Sequence, residues 1–468
     1  MIYNLIIYLY LFGVAVYSLF NEKVRKMWRG ERAAFGVLKA KVDPTARYVW
    51  FHAASLGEFE QGRPLMEQLR RDHPELKILL TFFSPSGYEV RKNYKGADII
   101  CYLPLDTPIN ALRFLRLIRP EMAFFIKYEF WYNYLHILKH RGVPVYSVSS
   151  IFRPDQVFFK WYGRQYGRVL NCFTHFFVQN EQSRELLAKI GITCVTITGD
   201  TRFDRVLQIK EQAKQLSVIE AFIEEIKMKS EDSSTAIPPA EGTPEGNSSL
   251  FTLHSSPNKV FVAGSSWPPD EDIFIRYFRE HPEWKLIIAP HVIDEAHLQQ
   301  IEQKLEGWNV QRYTKTHPQP LPIGKGEDTP ISGNPGSQTI CSPSSQGGAS
   351  GGSALIIDCF GLLSSIYRYA DVTYVGGGFG VSIHNTLEAA VWGVPVIFGP
   401  NNQKFQEAQA LKACGGGIEI SSYEDFARVM DGFAANPDSL HRAGEAAGNY
   451  VKGKAGATEK ILSDSFKS

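Results

Sequence analysis

Short apolar runs alternate with amphipathic helical patterns along most of this chain, and they do so in two separate series. The first comprises residues 48–52, 77–83, 99–103, 122–126, 143–148, 175–178 and 194–197. The second comprises 260–263, 286–289, 355–357, 372–375, 395–398 and 417–420. Between them lie helical patterns such as PLMEQLRR, INALRFLRLI and FWYNYLHILKH. A strand that is apolar along its whole length is buried on both faces, which means a parallel sheet covered by helices on either side. Two series predict two Rossmann-like domains, over 23–205 and 259–435, joined by a linker over 206–258 and followed by a helical segment over 436–468. Ligands are expected at the carboxyl ends of the strands, in the cleft between the domains. A length of 468 residues accommodates this.

Two stretches break the rhythm. Residues 229–258 and 315–353 are rich in Ser, Pro, Gly and Thr, as in SSQGGASGGS. Such composition buries too little apolar surface to hold one shape, so both are expected to be disordered insertions.

Residues 2–20 carry no charge and match the length that crosses a bilayer. Lys23, Arg25, Lys26, Arg29 and Arg32 follow at once. A cleaved signal would place basic residues before the apolar run and small residues at its end, and neither is present. The expectation is a membrane anchor over residues 1–22, with its first residues outside and the remainder in the cytoplasm. An interfacial helix is the alternative, and either form brings the chain to a membrane surface. Lys and Arg number 50 against 49 Asp and Glu, so no global basic field points to nucleic acid. The six cysteines are dispersed, as expected of reduced thiols in a cytosolic compartment.

The stretch DVTYVGGGFGVSIHNTLEAAVWGVPVIFGP, residues 371–400, reads as a strand, a glycine-rich turn, a helix carrying His384, Asn385 and Glu388, and a second strand. Glycines after a strand let the backbone approach a ligand, and a following helix offers free N–H groups. Helical spacing would turn His384, Asn385 and Glu388 toward one ligand. Enzymes of the two-Rossmann-domain GT-B class grip the ribose and phosphates of a nucleotide-sugar donor in this manner.

In the first domain the strand RYVWFH runs into Ala53-Ala54-Ser55-Leu56-Gly57-Glu58. Glu58 emerges at the strand's end, where a nearby helix N-terminus would keep it ionised. Such a carboxylate can accept the proton of a sugar hydroxyl as a glycosyl bond forms. A plain helix-capping glutamate is the competing reading. Against it stand the position of Glu58 after Gly57, unlike the third residue of an ordinary capping box, and a second acid, Glu129, just past the strand at 122–126. Glu129 could orient an acceptor, hold a cation or sit in a structural ion pair. Asp270-Glu271-Asp272 follows two prolines and reads as a first helical turn; no persuasive Asp-x-Asp metal site stands at a strand end.

These residues carry a resemblance. HAASLGE (52–58), SPSGYE (84–89), YLPLD (102–106), EFW (129–131), GDTRFD (199–204), AGSSW (263–267) and HNTLE (384–388) are similar to motifs of the 3-deoxy-D-manno-octulosonic acid (Kdo) transferases of lipopolysaccharide synthesis. The resemblance implies an inverting glycosyltransferase of the GT-B fold, needing no cofactor or metal, that moves Kdo from CMP-Kdo to the lipid A precursor at the inner membrane. Glu58 maps to the general base and Glu129 to the acid before the tryptophan. Arg202, Gly264, Ser265, Ser266, His291, Gly377, Gly378, His384, Asn385 and Glu388 are expected on the donor side, and Ser55, Gly57 and Arg153 on the acceptor side. The chain departs from the family pattern at Asp200, where Asn is usual, and at Arg202, where Lys is usual. It also has a lone His291 where many members carry Arg–His, and Ser382-Ile383 in place of a double glycine. The rival readings are another lipid-linked GT-B glycosyltransferase, a sugar-nucleotide epimerase, and a catalytically silent, membrane-tethered binding protein.

Overall fold

The continuous apolar runs form parallel strands. The computed structural model describes residues 2–224, 259–316 and 351–467. The stretch at 229–258 and most of that at 315–353 lie outside the described residues; Thr316 closes a short helix and Ser353 opens a strand. The chain divides into two units, Met1–Arg205 with Lys454–Ser468, and Val206–Gly453.

The first unit holds β1 (Tyr48–Ala53), β2 (Lys77–Phe82), β3 (Ile99–Tyr102), β4 (Met122–Ile126), β5 (Val145–Ser150), β6 (His175–Val178) and β7 (Val195–Ile197). They form one sheet in the order β3-β2-β1-β4-β5-β6-β7. All pairings are parallel. On β1 the pleat sends Tyr48 and Trp50 into one core and Val49, Phe51 and Ala53 into the other, and all five are buried. Each large side chain so buried contributes about 1.5–3 kcal/mol, which is why the run has no polar alternation.

The second unit repeats the plan with β8 (Val260–Ser266), β9 (Lys285–Pro290), β10 (Asn309–Arg312), β11 (Ser353–Ile356), β12 (Val372–Val375), β13 (Val396–Phe398) and β14 (Gly417–Glu419). Their order is β10-β11-β9-β8-β12-β13-β14. Only β10 has no counterpart among the expected runs. Among the described residues it is an edge strand pairing with β11 alone, and its Asn-Val-Gln-Arg sequence carries one apolar residue.

The expected membrane span is corrected. The first segment is helix α1 (Ile2–Tyr17), 16 residues long, and α2 (Glu22–Lys41) begins afresh with Asn21 accepting from Val24 N–H. At about 1.5 Å per residue α1 reaches roughly 24 Å, against about 30 Å of hydrocarbon. Among the described residues no helix is long and apolar enough to cross a membrane. The start of α1 is also tied down by polar contacts. Tyr3 donates to Asp106 at 2.7 Å and Asn133 donates to Asn4 at 2.9 Å, so these residues sit on the first unit rather than beyond a bilayer. Burial pushes the Asp106 carboxyl up to about 6, opposed by the hydrogen bonds it accepts from the Tyr3 hydroxyl and the Asn133 and Tyr134 N–H groups.

The last helix, Ala457–Phe466, belongs to the first unit although the preceding one belongs to the second. It is held there by Asp204 of the GDTRFD motif, whose carboxylate accepts from Gly456 N–H at 2.6 Å and from Thr458 N–H and hydroxyl at 2.7 and 2.6 Å. Asp204 is thus an N-cap supplied from a distant part of the chain. Asp204→Ala is expected to cost about 1–2 kcal/mol, the range of a lost N-cap. Hydrogen exchange should accelerate across 457–466 first; uniform protection there would refute the assignment.

Candidate active site

The strand order brings the site of the first unit together. β1 has β2 on one side and β4 on the other, so the direction of winding reverses between β1 and β4. A doubly wound sheet opens its crevice at that point, beyond the carboxyl ends. Glu58 follows β1 and Glu129 follows β4, so both stand at the reversal.

His52, fully buried on β1, joins the two strands. Its Nδ1 lies 2.9 Å from the Thr81 hydroxyl on β2, its register partner, and its Nε2 lies 3.1 Å from Glu129 Oε2. Thr81 also accepts from Trp50 Nε1 at 2.8 Å, and Glu129 Oε2 accepts from Trp131 Nε1 at 2.7 Å. The HAASLGE and EFW motifs are therefore one hydrogen-bonded chain, from Trp50 through Thr81, His52 and Glu129 to Trp131. Thr81 lies in no motif, and only the register of β1 on β2 reveals it.

Glu58 requires two corrections. It is the third residue of helix α3 (Leu56–Asp72), with Ser55 at the N-cap in extended conformation, so it does sit in a capping box. Its Oε2 accepts from Ala54 N–H at 2.5 Å and Ser55 N–H at 3.1 Å. Capping and catalysis are compatible here, since both bonds use one oxygen. The helix N-terminus also does not dominate its charge. Burial, and then repulsion from Glu129, push the Glu58 carboxyl above its ordinary value; His52, the Ala54 N–H and Lys127 oppose this only in part. Ser55 and Gly57 form the turn itself, Gly57 being exposed.

Neighbouring strand exits add strained backbone and charge. Lys127 and Ser149 have φ of 60° and 52°, a left-handed conformation that costs a non-glycine residue energy and clusters at functional sites. Arg153 is exposed past β5, and its charge reaches Tyr128. Arg202 binds Asp200 Oδ2 through Nε and Nη2, each at 2.8 Å. Burial raises the Asp200 carboxyl, but Arg202 and the hydrogen bonds outweigh it and hold it low. Two of the departures from the family pattern, Asp200 and Arg202, are thus partners in one ion pair. Gln61, one turn beyond Glu58 and unmarked by any motif, donates to Asp200 at 2.9 Å and ties that pair to α3.

The second unit reverses its winding between β8 and β12. Ser265, just before β8 ends, has φ of 53°; Ser266 is buried and donates to Glu271 at 2.9 Å. The Asp-Glu-Asp run does begin a helix, Pro268–Glu280, yet Asp270 does more than cap it. One oxygen accepts from Trp267 N–H at 2.9 Å and Gly377 N–H at 3.0 Å, and the other from the Tyr374 hydroxyl at 2.7 Å. It braces the glycine turn against AGSSW. Those glycines answer first to the protein itself. A Cβ on Gly376 would lie 2.2 Å from Ser265 O, one on Gly378 2.6 Å from Gly399 Cα, and one on Gly264 1.9 Å from the Tyr367 hydroxyl; Gly377 has φ of 93°.

The helix expected over His384 to Glu388 is corrected. Only Leu387–Ala390 is helical, and His384 and Asn385 precede it in a loop. The three side chains consequently fall into two groups. His384 stacks on His291 at 4.3 Å, and His291 on Trp267 at 4.8 Å. His384 Nε2 accepts from Trp267 Nε1 at 3.2 Å, which places its own proton on Nδ1. Burial and then His291 lower its pKa to about 4, so it offers a neutral ring to a ligand. Glu388 instead binds Asn385 Nδ2 at 2.9 Å and the Ser364 hydroxyl at 2.5 Å. Ser364 escaped the sequence reading because it stands outside every motif.

Residues 29–205 match the family model described as 3-deoxy-D-manno-octulosonic-acid transferase (kdotransferase), a span that contains Glu58, Glu129 and Arg202. The chain is similar to the 3-deoxy-D-manno-octulosonic acid transferase of Bordetella pertussis, 26% identical over 461 residues covering 93% of this chain and 94% of that one. It is likewise similar to the enzyme of the same name from Haemophilus influenzae, 23% identical over 433 residues covering 90% and 86%. Among solved structures, UDP-GlcNAc 2-epimerase from Neisseria meningitidis aligns with a TM-score of 0.54 at 14% identity, over 90% of this chain and 100% of that one; this likeness concerns the fold alone. Motifs and relatives agree: residues 29–205 match the Kdo transferase family model, and the chain is similar over most of its length to glycosyltransferases of that name.

Proposed function

We propose that the chain transfers Kdo from CMP-Kdo to the lipid A precursor with inversion, using Glu58 as general base. The supporting observation is the pair of carboxylates at the β1/β4 reversal, one of which holds its proton more tightly than an ordinary glutamate. An acceptor hydroxyl attacks the anomeric carbon. The bond from that carbon to the CMP phosphate oxygen breaks, its electron pair leaves with CMP, and the hydroxyl proton passes to Glu58. Glu129, held by His52 and Trp131, raises the proton affinity of Glu58 and orients the acceptor. Arg153 is placed on the acceptor side. The N–H groups around Ser265 stabilise the departing phosphate, the Gly377 N–H being held by Asp270, and Arg202 is assigned to the donor side. His291, His384, Asn385 and Glu388 are assigned to the nucleotide. Mass spectrometry of the product from intact protein, CMP-Kdo and tetraacylated precursor tests this. A lipid heavier by one or more Kdo residues, with matching CMP release, is expected. CMP-Kdo binding without CMP release would identify a silent binding protein instead.

The same reading places α1 flat on the cytoplasmic face of the inner membrane. Leu5, Leu9, Phe12 and Phe20 are 63%, 63%, 70% and 80% exposed, while Val14 packs with Met27 and Tyr102. Arg25 already donates to Ser18 O and Leu19 O and Lys26 pairs with Glu22 at 3.0 Å, so Lys23 and Arg29 are left to face anionic lipid. Substitution suits the test better than truncation, because α2 carries Phe35 and Leu38 into the core. Leu9→Glu with Phe12→Glu is expected to weaken binding to anionic vesicles at least about tenfold, each buried side chain contributing about 1.5–3 kcal/mol. The thermal midpoint should not move. Undiminished cosedimentation with vesicles would remove α1 from the membrane contact.

A further inference from the structure

On the first unit, the amino-terminal ends of the strands, opposite Glu58 and Glu129, carry a second concentration of charge. The helices Pro108–Ile118 and Tyr132–His140 both end there, immediately before β4 and β5 begin. Arg116 lies in the last turn of the first helix, Arg119 is its C-cap, and Arg141 is the C-cap of the second. The three line a cavity of about 310 Å³ whose remaining wall is Pro120, Leu138 and Val143. Arg141 reaches across to donate to Leu115 O at 2.7 Å. Among the described residues, no carboxylate lies within ion-pair distance of any of the three.

Helix C-termini favour cations, which accounts for one arginine at each helix end. It does not account for three guanidinium groups around one space, where they repel one another. Burial, then Arg116 and Arg119, pull the Arg141 pKa down. Nor does it account for Arg119 itself. With φ of 42° this residue occupies the left-handed position that ends helices and that glycine or asparagine normally fills without strain. An arginine kept there at a cost points to a use for its side chain.

We propose that Arg116, Arg119 and Arg141 form a binding site for a phosphate-bearing ligand, separate from the transferase site and at the opposite, amino-terminal end of the strands of the same sheet. Guanidinium groups match phosphate oxygens through paired N–H donors, and the Pro120, Leu138 and Val143 wall accepts a small apolar body beside the phosphate. The volume suits a phosphate monoester. The phosphate could belong to a soluble ester or to a lipid headgroup.

Calorimetric titration of the intact protein with inorganic phosphate and with glycerol 3-phosphate, and cosedimentation with phosphatidylcholine vesicles with or without phosphatidic acid, test the site. Saturable binding of at least one phosphate probe is expected. Arg116→Gln with Arg119→Gly should raise its dissociation constant about tenfold or more, while the ligand-free thermal midpoint holds or rises because glycine relieves the left-handed position. Should that pair fail to fold, Arg141→Lys keeps the charge but loses the planar fork, and a several-fold weaker affinity is expected. Binding of the soluble esters alone identifies a free phosphate ligand; binding only to phosphatidic acid vesicles identifies a lipid headgroup. No saturable binding to wild type, or binding unchanged in the variants, overturns the site.

Discussion

Glu58→Gln is expected to lower Kdo transfer by about 10²–10⁴-fold, the range for loss of a general base, with donor affinity nearly unchanged. Glutamine has the same shape and its carbonyl can still accept the Ala54 and Ser55 N–H bonds, so the start of α3 should persist. The wild-type rate should climb as pH rises through the raised pKa of Glu58, since only the ionised form can take the acceptor proton. Removing the neighbouring charge with Glu129→Gln should shift that limb to lower pH. The linked effect on stability has the opposite sense. A carboxyl whose folded pKa exceeds its unfolded one contributes stability below the unfolded value, and that contribution is lost as pH rises through the folded one. At neutral pH the glutamine variant should therefore melt no lower than wild type, and above that if Glu58 is ionised there. Turnover within threefold of wild type would remove Glu58 from the base role, whatever the melting curve shows.

The reach and the limit of the sequence are visible at the same residues. The apolar runs showed thirteen of the fourteen strands among the described residues, because burial on both faces leaves a plain compositional mark. Their order left none. Glu58 and Glu129 meet because β1 neighbours β4, and strand order depends on how helices pack across the sheet. His52 was visible inside a motif, yet its partner Thr81 depends on register. The span 384–388 misled for another reason. His384 and Asn385 have better partners in Trp267 and Glu388 than a helical turn would supply, so the chain stays irregular until Leu387. Asp270 looked like a first-turn residue and is one, but its link to Gly377 spans 107 positions that no local pattern records.

Replacing Asp270 should produce the largest effect in the second unit. The carboxylate is 1% exposed and satisfies three donors, the N–H groups of Trp267 and Gly377 and the Tyr374 hydroxyl. Asp270→Ala leaves all three without an acceptor. A buried group so stranded costs about 1–3 kcal/mol, so a total of roughly 3–5 kcal/mol and a fall in midpoint of about 6–15 °C are expected. Asp270→Asn separates bracing from charge. Its carbonyl can take both N–H groups and its amide can donate to the Tyr374 oxygen, which restores most of the brace without the negative charge. Under the proposed donor assignment the alanine variant should lose CMP affinity at least tenfold, because Gly377 and the AGSSW turn are no longer held together. The asparagine variant should bind CMP as well as wild type or better, a buried anion near the phosphate having gone. Alanine and asparagine variants that melt and bind alike would show that Asp270 acts through its charge, and normal CMP affinity in the alanine variant would detach the glycine turn from the donor.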